Sequence, residues 1–118
     1  MSTDPHFRIV LVTAPSIAVG RQLAGAALES RTAACVNLVP NVESHYWWQG
    51  KIEQSGEVLL VIKTIRSKVE DLEKVILENH PYDTPEFVAL EIPTGNARYL
   101  DWLEQSIEGS ARQKSTKP

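Results

Sequence analysis

The chain has 118 residues, 42% of them hydrophobic and 23% charged, with a formal net charge of -3 at pH 7. One core of ordinary size accounts for that length, which leaves no room for a second domain. The acidic balance and a pI near 5.6 give no basic field for gripping a phosphate backbone, so nucleic acid is not an expected partner.

The sequence starts without the positive and apolar segments of a signal peptide, and no apolar run nears the ~20 residues of a membrane span. Cys35 is the single cysteine, so no disulfide forms within the chain. Together these features predict a cytoplasmic protein without a membrane partner.

A first strand is predicted over residues 7–13, where Ile9, Val10, Leu11 and Val12 form a short β-branched run that stops at Ala14 and Pro15. Pro15 and Ser16 supply helix-start chemistry, and Ile17, Ala24, Ala27 and Leu28 recur at helical spacing. Residues 34–48 read as a long second strand with Val36, Leu38, Val42, Ser44, Tyr46 and Trp48 on one face, interrupted by a bulge at Pro40 and Asn41. Gln49 and Gly50 make the turn of a hairpin, and the chain returns over residues 51–64 with a break expected at Ser55 and Gly56.

Ser67 and Glu70 stand at capping-box spacing before a second helix, whose buried stripe is Val69, Leu72, Val75 and Ile76 and whose end is His80 and Pro81. A fourth strand follows at 87–92, and a last helix at 96–107 carries Tyr99, Trp102, Leu103 and Ile107. Residues 1–7 read as an N-terminal extension, 8–107 as the domain, and 108–118 as a polar, disordered tail. The order βαββαβ plus a terminal helix predicts an α+β, ferredoxin-like sandwich with both main helices on one face of a four-stranded antiparallel sheet. The other face and the long hairpin would expose more apolar surface than a monomer tolerates, which predicts self-association.

Several short stretches then combine. They are Thr13-Ala14-Pro15, Ala33-Ala34-Cys35-Val36-Asn37, Ser44-His45-Tyr46-Trp47-Trp48-Gln49-Gly50-Lys51-Ile52, Ile62-Lys63-Thr64, His80-Pro81-Tyr82-Asp83-Thr84-Pro85-Glu86 and Tyr99-Leu100-Asp101-Trp102-Leu103. In this order they resemble the CutA family of divalent-cation tolerance proteins. The resemblance implies a ferredoxin-like homotrimer, similar in architecture to PII signalling proteins, with copper binding and metal tolerance as its role.

For the metal, the candidate ligands are His80, Cys35 and His45, with Cu(II) or another divalent cation as the expected ion and no organic cofactor. Two of them have a plainer reading: His80 as a cap of helix carbonyls, Cys35 as a small buried hydrophobe. A second set, Trp48, Glu57, Lys63, Tyr82, Glu86 and Trp102, reads either as a structural Lys63–Glu86 pair with a buried Tyr82 hydroxyl, or as a pocket in which Lys63 binds a small anion. Three functions therefore compete: divalent-cation binding in a trimer, small-ligand sensing in the PII manner, and a stable assembly module. No phosphate loop, Ser-His-Asp pattern, HExxH or CxxC is present, and no enzymatic activity is expected.

Overall fold

The apolar run after His6 forms β1 (Phe7–Ala14), and Ser16 then caps α1 (Ile17–Glu29) by accepting a hydrogen bond from Val19 N–H at 3.2 Å. β2 (Cys35–Trp48) and β3 (Lys51–Ile65) make the long hairpin; a 3-10 turn over Arg66–Lys68 leads into α2 (Val69–Asn79). β4 (Val88–Glu91) and α3 (Ala97–Glu108) complete the chain. This computed structural model describes residues 6–109; residues 1–5 of the predicted extension and 110–118 of the predicted tail lie outside the described residues.

The sheet order is β2-β3-β1-β4 and every pair is antiparallel, the ferredoxin-like arrangement expected from the element order. Val10, Val12, Leu60 and Ile62 point to one face and are sealed by Leu23 and Ala27 of α1 and Leu72 and Ile76 of α2. Burying a side chain of that size stabilises by about 1.5 to 3 kcal/mol, so this layer is the main source of cohesion. α3 crosses to the opposite face, where Leu103 and Ile107 pack with Ile65, Phe7 and Ala34. It covers only that end; Val39, Val88 and Leu90 remain exposed.

Two local expectations are corrected. Ser67 does not cap α2: the residue at the cap is Lys68, without a side-chain bond, because the 3-10 turn has already begun the coil at Arg66. Ser16→Ala should therefore cost about 1 kcal/mol in a denaturant midpoint experiment, and Ser67→Ala close to nothing. The break foreseen at Ser55 and Gly56 is also absent, since both pair with β2, opposite Ser44 and Glu43. In a twisted two-stranded ribbon, a glycine in extended conformation keeps the ladder intact.

The bulge at Pro40 and Asn41 is present, and its consequence exceeds the expectation. Val39 faces Leu59 and Val42 faces Glu57, so two residues of β2 stand opposite one of β3, with Asn41 left-handed at φ 61°. One extra residue reverses the alternation. Val36 and Leu38 pair with Ile62 and Leu60 on the helix side, whereas Val42, Ser44, Tyr46 and Trp48 lie on the other face with Glu57. The single shared face expected for all six residues is thus split in two.

Beyond the bulge the hairpin leaves the sheet. β1 pairs with β3 only from Val58 to Ile65, so the outer part, seven residues on each strand, projects about 20 Å as a two-stranded arm. Gln49 (φ 50°) and Gly50 (φ 79°) close it as a tight two-residue turn. The arm raises the radius of gyration to 15.4 Å, against about 13 Å for a compact chain of this size.

Candidate functional site

Where β1 ends at Ala14, the loop after α2 folds back over the root of the arm. His80 anchors that loop. Tyr82 N–H donates to its Nδ1 at 3.1 Å, which places the ring proton on Nε2, and Nε2 lies 2.7 Å from the Thr13 carbonyl. The imidazole is buried and packs against the Tyr82 ring, centroids 4.7 Å apart and planes tilted by 48°. With one nitrogen accepting and the other donating, this imidazole has no lone pair left for a metal ion.

The Tyr82 hydroxyl donates to Glu57 at 2.9 Å, tying the loop to β3. Burial, and then the Glu57 carboxylate, push the phenol up from 10.0 to about 12. A raised value in the folded state favours the neutral phenol, so this contribution to stability is complete below pH 10 and is lost as pH rises through about 12. An ultraviolet absorbance titration should show a tyrosine step near pH 12 that Tyr82→Phe removes and Glu57→Gln moves to lower pH.

Between loop and arm lies a cleft of about 830 Å³. Four of the six residues predicted for a pocket line it: Trp48, Glu57, Tyr82 and Glu86. His45 lines it too, as do Thr13, Ser44 and Asp83, which sequence reasoning missed; the turn residues after Tyr82 were the available signal. The other two predicted members are elsewhere. Lys63 lies deep in the sheet opposite Cys35 and donates to the Asn37 side chain, its diagonal neighbour. Trp102 packs on α3, its ring 5.6 Å from Tyr99, against the Ile65 cluster. The anticipated Lys63–Glu86 pair is therefore not formed, because the strand register holds Lys63 six residues inside Glu57.

The three metal candidates are not brought together. Cys35 and His45 are ten residues apart on one strand, roughly 30 Å. Cys35 is half-buried beside Tyr99, whose phenol is pushed up by burial and by the neighbouring thiol. His45 is exposed, with Nε2 2.7 Å from a Glu43 carboxylate oxygen. Among the described residues no group of three or more His, Cys, Asp or Glu side chains is placed to hold a metal ion. His45 and Glu43 provide two donors, fewer than the four that a closed site employs.

The sheet order, the two-helix layer and the projecting hairpin define a ferredoxin-like α+β protein with an open cleft at the root of the hairpin. The comparisons narrow this further. A family model described as CutA1 divalent ion tolerance protein matches residues 8–106, and the chain belongs to that family. It is 46% identical over 98 residues to the divalent-cation tolerance protein CutA of Thermus thermophilus, covering 83% of this chain and 95% of that one. It is likewise 46% identical over 109 residues to the chloroplastic protein CutA 1 of Oryza sativa. There the match spans 92% of this chain but 62% of the rice protein's length, and for the Arabidopsis thaliana chloroplastic CutA the share is 54%. The solved structure of rice CutA1 superposes with a TM-score of 0.84 at 46% identity, covering 89% of this chain and 96% of that one.

Proposed function

We propose that the protein acts as a cytoplasmic homotrimer that binds copper or another divalent cation and contributes to the response to metal ions. The exposed arm carries this reading. Trp47 is 73% exposed and its cross-strand partner Ile52 is 68% exposed, and a two-stranded ribbon with such a surface is marginal without a partner. A threefold axis would cover the arm and present each donor three times. A cation site that two side chains cannot complete in one chain is completed by copies of those two in the assembly.

His45 with Glu43 is the donor pair available for that purpose, since His80 is committed to Thr13 and Tyr82 and Cys35 sits beside Tyr99. Isothermal titration with Cu(II), against a buffer of matched chelating strength, should give a saturable event that His45→Ala weakens by about tenfold. His80→Ala should leave the affinity unchanged and lower the melting temperature instead. Absence of saturable heat above the blank contradicts the metal reading. A second reading, small-ligand sensing in the PII manner, is favoured by the 830 Å³ cleft and does not require the metal.

A further inference from the structure

The geometry points to the cleft between the arm and the 80–86 loop as a binding site for a small organic ammonium ion. This goes beyond the metal reading and does not rest on it. A volume of about 830 Å³ suits a small molecule. Its lining carries three carboxylates, Glu57, Asp83 and Glu86, and no lysine or arginine. With Lys63 held by Asn37 outside the lining, and the His45 ring that does line it placed against the Glu43 carboxylate, the charge there favours a cation.

Carboxylates alone would suit any cation, and the rings decide between them. Tyr46, Trp48 and Tyr82 line the same cleft. Aromatic faces carry negative quadrupole density that attracts alkylammonium groups, while offering no lone pair to a divalent metal. An organic cation uses both features at once, the methyl groups against the rings and the charge beside the carboxylates. The site is also held in place before a ligand arrives. His80 fixes the loop at Thr13 and at Tyr82, and the Tyr82–Glu57 hydrogen bond orients one ring and one carboxylate together.

Choline is the probe, and 3,3-dimethyl-1-butanol, of the same shape without the charge, is its control. Titration of the assembled protein in EDTA, followed by tryptophan fluorescence and calorimetry, should show saturable choline binding, at least about tenfold tighter than the alcohol. Glu57→Gln and Trp48→Ala should each weaken it about fivefold or more, and Lys63→Ala should leave it unchanged. Asp83→Asn, on the exposed loop, gives the same charge test should Glu57→Gln unfold the protein. Equal binding of choline and the alcohol, no binding of choline, or binding of glutarate that Lys63→Ala removes would each overturn the assignment. Because EDTA is present, failure here is separate from failure of the copper titration.

Discussion

The double substitution Trp47→Glu, Ile52→Glu yields a folded monomer. The two side chains face each other across the arm, are among its most exposed apolar groups, and lie outside both buried clusters. Far-ultraviolet circular dichroism should therefore stay unchanged. Anchors of this type contribute about 2 kcal/mol or more each at an interface, so losing two and adding like charges weakens association by roughly a thousandfold. Light scattering at micromolar concentration reads the result. A double variant that keeps the wild-type mass would remove Trp47 and Ile52 from the proposed interface.

Inserting one alanine after Asn41 has the second largest effect. With the bulge kept opposite Val58, the added residue takes the place opposite Glu57 and turns Val42, Ser44, Tyr46 and Trp48 to the helix side of the ribbon. The Tyr46–Ser55 hydrogen bond is lost, the cleft loses two of its aromatic walls, and the proposed interface is rearranged. Stability should fall by about 3 kcal/mol, as for a disrupted packing layer, and the assembly should dissociate. Asn41→Gly keeps the bulge and accepts φ 61° without strain, so it should remain within about 0.5 kcal/mol of wild type. Asn41→Val, with a branched side chain in a left-handed conformation, should cost about 1 to 2 kcal/mol. An insertion variant with unchanged mass and melting temperature would contradict the parity reversal.

Much of the fold was legible because local signals agreed with tertiary ones. The run of Ile9 to Val12, the Ser16 cap, the Gln49-Gly50 turn and the stripe of α2 each form as their residue types dictate. What escaped was set by register. The sequence marks a bulge at Pro40 and Asn41, but whether it inserts one residue depends on the partner strand. Likewise Ser55 and Gly56 look like a break until the paired strand holds them extended.

The candidate site divides along the same line. Glu57, Tyr82 and Glu86 were found because a polar loop stiffened by prolines must find partners near a strand end. Lys63 was grouped with them by chemistry, and only the pairing of β2 with β3 shows that Asn37 is its neighbour. That change removes the cation from the pocket and reverses the sign of the ligand it suits. The commitment of His80 was invisible too, since its partner is a backbone carbonyl at Thr13, 67 residues away in the chain.

The mass of the unmodified protein in solution, measured by light scattering or sedimentation equilibrium at low micromolar concentration, is the most direct test of the arm's role. Three times the chain mass is the predicted result. A stably folded single chain at that concentration, with Trp47 and Ile52 open to water, would contradict it.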